Sequence, residues 1–284
     1  MHAVAQDLRY AFRTFRRSPI FTGVALLSLA LGIGANTAIF TLLDQVLLRM
    51  LPVYEPERLV LLDGPGPDRG SRRDENAFSY PMYVDLRDQN RVFSGVLARH
   101  GVSLSLTWKG QTDRVNGELV TGNYFDVLGV PQFLGRLLTP NDDRKPGAHP
   151  VAVLTYGFWQ RRFGGDASVV GKKILLNAHP FEIVGIAPPG FNGVEMSTPH
   201  DVFVPVAMKA QMTPTWDDMN ERRSAWLNIY GRLRPRMTRE QAQAGLQVLY
   251  SQILRTEIEQ ISDVSQMFRD RFLSKKISLL PGYQ

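Results

Sequence analysis

The stretch VAVLTYGFWQRRFGGDASVVGKKILLNAHPFEIVGIAPPGF, residues 151–191, decides the fold class. Val151–Leu154 is an apolar run of strand length. Thr155 can cap the helix that follows, Tyr156–Phe163, and Gly164-Gly165 terminates it. Lys173–Leu176, with Asn177 in the turn, and Phe181–Ile186 read as a hairpin that ends at Pro188-Pro189-Gly190. A strand, a short helix and a hairpin in this order predict an α+β domain.

The same pattern extends to both sides. Upstream, Arg58–Leu62 reads as a short strand, and Gly64–Asn76 is a polar loop of glycine, proline and charge. Tyr83, Leu86, Asn90 and Phe93 fall at helical spacing, with Pro81 suited to the first turn. Val102–Trp108 alternates as a half-buried strand, and Lys109-Gly110 turns it into a second strand at Arg114–Val120. Tyr124–Leu128 is a short helix stopped by Gly129 and Pro131, followed by a loop from Thr139 to Pro150. Downstream, Val202–Val206 and Trp226–Leu233 read as strands. Thr238-x-x-Gln241 is a capping box opening a helix that runs to about Glu259 with Ala242, Leu246, Leu249 and Ile253 on one face. Lys276–Leu280 completes the set as a last strand.

Ahead of all this lies an uncharged run, IFTGVALLSLALGIGANTAIFTLL, Ile20 to Leu43. About 20 apolar residues at 1.5 Å rise cross a hydrocarbon core of roughly 30 Å, so a transmembrane helix is expected over 20–48. A cleaved signal peptide would have a shorter apolar core and a small-x-small cleavage site near its end, which this run lacks. Serine and threonine within it can bond their own helix, whereas Asn36 needs a partner or a place near one end. Ala30, Gly34 and Ala38 fall at i, i+4 and i+8. They form either a packing stripe for a second membrane helix or the ordinary small residues of such helices. No later stretch is long and apolar enough to cross again, so the chain is expected to be single-pass.

Net charge is +6, half of it in residues 1–19, where Arg9, Arg13, Arg16 and Arg17 face Asp7 alone. The remaining 265 residues carry 29 basic and 26 acidic side chains, which argues against a nucleic-acid-binding face. The arginine cluster predicts a cytoplasmic N-terminus, with the bulk of the chain beyond the membrane. Cysteine is absent, which excludes disulfides, thiolate metal sites and cysteine nucleophiles. The histidines, His2, His100, His149, His179 and His200, show no ligand spacing. Asp142-Asp143 and Asp217-Asp218 read as solvated loop charge rather than as calcium or acid–base pairs. Arg161-Arg162 and Arg222-Arg223 read as surface charge. Gly165–Lys173 only superficially resembles a phosphate loop: the glycines lie one residue too far apart, and lysine stands in the Ser/Thr position. No catalytic, cofactor-binding or metal residue is assigned.

Several segments resemble one family. The opening, Asp7 to Pro52, followed by Glu57-Arg58-Leu59-Val60, resembles the start of MacB/FtsX-type ABC transporter permeases, above all the acidobacterial duplicated orphan permease branch. Gly122–Val130 with Gly135-Arg136 matches that family's helix-and-turn element, and Val151–Phe191 is similar to the signature of its MacB-like periplasmic core domain. Asp201–Pro205 and Arg232–Leu246 also fit. The resemblance implies a first membrane helix leading into an extracytoplasmic domain and then three further helices, in the inner membrane. It also implies work with a cytoplasmic ABC ATPase, other permease subunits and a periplasmic adaptor. The sequence given stops at Pro281-Gly282-Tyr283-Gln284, before those helices, so an anchor plus a core domain is expected, as a truncated permease or a piece of a larger one. The resemblance gives Phe158, Trp159 and Phe163 packing roles, and Gly129, Gly165 and Gly185 turn roles.

The function expected is a non-catalytic, membrane-anchored permease subunit or fragment of an ABC-type export or mechanotransmission system. The rivals are an anchored extracytoplasmic hydrolase and a ligand-binding sensor. Within the exported part, residues 50–115 and 225–284 are expected to form a membrane-proximal subdomain, and residues 116–224 an inserted distal one. The breaks in apolar period at Asn116-Gly117 and Thr213–Ser224 mark the boundaries. With this orientation, a reporter fused after Leu280 that works only outside the cytoplasm is active. A cytoplasm-only reporter working there would refute the topology.

Overall fold

Twenty-five residues, Pro19–Leu43, wind into one helix, α1. In the computed structural model the described residues are 19–43, 51–64, 77–195, 198–261 and 264–282. The basic cluster Arg9–Arg17, the end of the expected membrane helix at 44–48 and most of the Gly64–Asn76 loop lie outside them. The α1 segment is long and apolar enough to cross a membrane. Within it the Thr37 hydroxyl donates to the Ile33 carbonyl at 2.8 Å, so its polar group is met inside the helix.

Residues 50–283 form a second compact unit. Its strands are β1 (Leu59–Asp63), β2 (Ala77–Phe78), β3 (Phe93–Trp108), β4 (Gln111–Val120), β5 (Leu134–Gly135), β6 (Val151–Leu154), β7 (Lys173–Leu176), β8 (His179–Ile186), β9 (Val202–Pro205), β10 (Leu227–Leu233) and β11 (Ser278–Pro281). Its helices are α2 (Tyr80–Gln89), α3 (Tyr124–Leu128), α4 (Tyr156–Phe163), α5 (Lys209–Met212), α6 (Arg239–Glu259) and α7 (Gln266–Leu273). The expected caps form: Thr155 accepts from the Phe158 N–H, and Thr238 and Gln241 close a reciprocal box.

The strands run in the order β11-β1-β10-β3-β4-β9-β6-β8-β5. Most neighbours are antiparallel, but β4–β9 and β6–β8 are parallel. β7 pairs with β8 and also returns to β3, where Leu176 sits opposite Leu106. Six strands, β3-β4-β9-β6-β8-β7, therefore close into a hydrogen-bonded ring, which leaves them no free edge between neighbours. β3 serves both halves of the sheet: Phe93–Arg99 pairs with β10, and Leu106–Thr107 pairs with β7.

One core runs from the ring interior (Leu104, Leu106, Leu154, Ile174, Phe181) to the faces of α2 and α6 at Leu86, Leu246 and Ile253. Phe158, Trp159 and Phe163 of α4 are buried in it. A second core covers the opposite face, where Tyr124, Phe125, Phe191 and Phe203 pack with ring centroids 5.2–6.3 Å apart.

Two glycine readings separate here. Gly129 and Gly165 occupy turns at φ 66° and 73°. Gly185 instead lies inside β8, next to the bulge where Ala152 faces Ile183 but Val153 faces Gly185. A Cβ on it would sit 2.1 Å from the Arg136 carbonyl oxygen, so close backbone approach, not turn geometry, requires the glycine.

The β7–β8 turn places Asn177 and Ala178 at φ 47° and 68°, the left-handed region that a two-residue hairpin demands. Asn177 suits the position and works twice more: its Oδ1 accepts from the Ser105 N–H at 2.9 Å, and its Nδ2 donates to the Met212 carbonyl at 2.9 Å. Ala178 is exposed and carries only the strain. Ala178→Gly should raise stability by about 0.5–1 kcal/mol in denaturant titration, the relief of a left-handed Cβ less the entropy glycine adds to the unfolded chain.

Candidate functional site

Arg99 is the last β3 residue paired with β10, opposite Asn228. Its side chain is 7% exposed and touches three elements. Nη1 reaches Glu118 of β4 at 2.8 Å, and Nη2 reaches Glu195, in the loop before β9, at 2.6 Å and Asn228 of β10 at 3.2 Å. Glu118 is fully buried and accepts a second bond from the Tyr124 hydroxyl at 3.1 Å. His200, 3% exposed, brings Nε2 to 3.4 Å from both Glu118 and Arg99. Burial alone would depress the Arg99 guanidinium pKa, but Glu118, Tyr230 and Glu195 outweigh it and hold it above its ordinary value. Burial and the Glu118 carboxylate push Tyr124 well up, and burial raises Tyr230 to about 12.

Beyond Arg99, β3 runs from His100 to Ser105 before β7 takes up the pairing. Side chains fill this interval. His100 meets Trp216 and Trp226 edge-on at 5.7 and 5.4 Å. Lys209 is fully buried, its Nζ 3.6 Å from the Trp216 ring centroid and bonded to the Trp216 carbonyl at 2.5 Å. Desolvation lowers its pKa against the pull of Asp217 and Asp218.

A second set of arginines fastens the segment leading into β1. Arg232 of β10 donates to the carbonyls of Val127, Glu55 and Leu128, two of them at the end of α3, where unsatisfied carbonyls and the helix dipole favour a cation. Arg58 donates to the Leu233 carbonyl and pairs with Glu55.

The paired carboxylates differ from the sequence reading. Asp142 is 4% exposed and holds Arg136 by two bonds of 2.7 and 2.9 Å. Asp143 accepts from the backbone N–H groups of Gly122 and Ala207 at 3.1 and 2.8 Å. Both fasten loops instead of standing in solvent. Asp218 likewise accepts from Trp216 and Ser224. Arg222 bridges Asp85 and Glu257 at 2.7 and 3.0 Å, on the wall of a cleft of about 430 Å³ between α2, α6 and α7. Arg161 and Arg162 pair with Asp201 and Asp113. Among the described residues no group of three or more His, Asp or Glu could hold a metal ion. Ala30, Gly34 and Ala38 are exposed positions on α1.

Two stability predictions follow from these groups. Glu118→Gln leaves Arg99 buried without its main counter-charge and should cost about 3–5 kcal/mol, whereas Arg99→Met/Glu118→Leu together should cost less than the sum of the single changes. Burial raises the Asp143 pKa to about 6 against the two backbone donors. Its contribution is therefore present below the unfolded value near 4 and lost as pH rises through about 6. Relative to the parent, Asp143→Asn should gain about 2–3 kcal/mol between pH 4 and pH 7 in urea titrations.

Three solved structures share this fold. A domain of a putative permease protein from Porphyromonas gingivalis aligns with TM-score 0.52 and 17% identity, over 81% of this chain and 92% of that one. The periplasmic region of MacB from Actinobacillus actinomycetemcomitans aligns with TM-score 0.54 and 17% identity, over 73% and 94%. The extracellular domain of YknZ, a noncanonic ABC-type transporter from Gram-positive bacteria, aligns with TM-score 0.53 and 14% identity, over 78% and 99%. No match is found among curated proteins. The model of the MacB-like periplasmic core domain matches residues 22–249, which takes in the ring, the Arg99 cluster and about half of α6. The chain belongs to the MacB-like periplasmic core domain family.

Proposed function

We propose that this chain is the membrane-anchored, non-catalytic permease part of an ABC-type export or mechanotransmission system. The observation that carries the reading is the family match over residues 22–249, which begins inside α1 and continues through the domain. In this reading α1 anchors the chain in the inner membrane, with its N-terminus cytoplasmic and residues 50–284 outside. A separate cytoplasmic ABC ATPase hydrolyses ATP, other permease helices pack on Ala30, Gly34 and Ala38, and a periplasmic adaptor meets the exported domain.

The proximal part, 50–115 with 225–284, and the inserted distal part, 116–224, belong to the same proposal. What supports the division is strand order: β11, β1 and β10 lie on one side of the β3–β4 hairpin, and β9, β6, β8 and β5 on the other. The Arg232 and Arg58 bonds fasten the lead-in segment to β10 and α3, so a displacement arriving through residues 51–58 is passed directly to the sheet.

The purified full chain should show no ATPase or hydrolase turnover, and cross-linking in native membranes should recover an ABC ATPase. Gly34→Leu, which fills the small-residue stripe, should reduce that recovery several-fold without altering expression. Robust turnover by the chain alone would overturn the proposal.

A further inference from the structure

The end of the sheet at which the chain arrives carries a group of exposed arginines. Leu59 opens β1 there, Phe93 opens β3, and Leu233 closes β10. The Gly282 N–H donates to the Leu59 carbonyl at 2.9 Å, so the strand β11 leaves beside the strand that arrives. The β10–α6 connection, Arg234-Pro235-Arg236-Met237-Thr238-Arg239, projects from this end with its three arginines exposed. Arg91 joins them: the Arg234 N–H donates to the Val92 carbonyl at 3.1 Å, and the Arg234 side chain to the Phe93 carbonyl at 3.2 Å.

The carboxylates here are partly matched. Glu55 is held by Arg58, and Glu240 lies 3.8 Å from Arg239. Arg91 and Arg236 form no ion pair among the described residues. Arg236 is moreover held at φ 65°, a left-handed conformation that costs strain. At the same end of the sheet Tyr54 is 61% exposed, its ring 5.7 Å from the Arg232 guanidinium of β10. Cations with an exposed aromatic ring are the composition that sits at a bilayer's headgroup level.

Seven residues, 44–50, separate α1 from Leu51. Connectivity alone therefore keeps Leu51 within roughly 30 Å of the end of α1. We propose that the face formed by Arg91, Arg234, Arg236 and Arg239, at the same end of the sheet as Tyr54, lies against anionic phospholipid headgroups and sets the orientation of the domain on the bilayer. This rests on anchoring by α1, not on any transport role.

The chain has no cysteine, so one introduced thiol is a unique label. The full chain carrying Pro235→Cys with a bimane is placed in nanodiscs of phosphatidylcholine, with or without a one-third share of phosphatidylglycerol, each containing headgroup-nitroxide lipid. Recovery of the chain in the nanodisc fraction reports anchoring separately. Strong quenching is expected with phosphatidylglycerol, falling at least two-fold in phosphatidylcholine alone. The same fall is expected at high salt, where screening shortens to about 3 Å near 1 M, and in Arg91→Glu/Arg236→Glu. A label at Lys172→Cys, by β7 at the opposite end of β3, should stay unquenched throughout. Quenching that is absent with phosphatidylglycerol, equal in both lipids, or unchanged by the double reversal and by salt would overturn the proposal.

Discussion

The Arg99–Glu118 pair sits where β3 changes partners, and the domain is organised around that point. A sixteen-residue strand cannot keep one neighbour along its whole length when its sheet twists and one end curls into a ring. β10 departs at Arg99, and β7 arrives at Leu106. Backbone groups freed between two such neighbours would be costly if buried and unmet. Arg99 ties β3 to β4, to β10 and to the loop before β9 at the departure. Asn177 supplies the Ser105 backbone with both a donor and an acceptor at the arrival. His100, Trp216, Trp226 and Lys209 occupy the space between.

This arrangement accounts for the amount of charge inside the domain. Arg99, Glu118, Asp142, Lys209, Arg232 and Glu257 are all buried, and Arg99, Glu118, Arg232 and Glu257 are held by partners from distant parts of the chain. Such pairs add little net stability, because desolvation consumes most of the Coulombic gain. Their geometry nevertheless admits few alternatives. A slip of β3 against β4 would carry Arg99 away from Glu118 and strand both charges in the core, so the network selects one register.

The arginines also join the chain's lead-in to the sheet. Arg232 and Arg58 hold residues 55–58 to the end of β10 and to α3, and the Tyr54 N–H donates to the Leu128 carbonyl at 2.9 Å. Residues 54–58 are thus bonded into the domain before the first strand begins.

Much of this fold was legible in the sequence because its elements carry local signals. Thr155 and Thr238 cap the helices they precede, glycine ends α3 and α4, and Ile20–Leu43 is uncharged over a membrane's thickness. These depend on neighbours a few residues away, so the sequence determined the apolar helix, the α+β class and most of the elements. The first half of β3 was not legible, because Val96–Arg99 is buried on both faces and shows no alternation. Helix α7 was missed too, since Phe268, Phe272 and Leu273 give only one short apolar face. Asp142, Asp143 and His200 look like solvated loop residues beside proline; Asp142 is held locally by Arg136 and Thr139, whereas the partners of Asp143 and His200 lie 21 to 101 positions away and are brought in only by the tertiary structure. Ring closure, the parallel pairings and the Arg99 cluster were decided by tertiary structure alone. They join residues far apart in the chain, and what binds such residues, burial and charge compensation, leaves no periodic trace in the sequence.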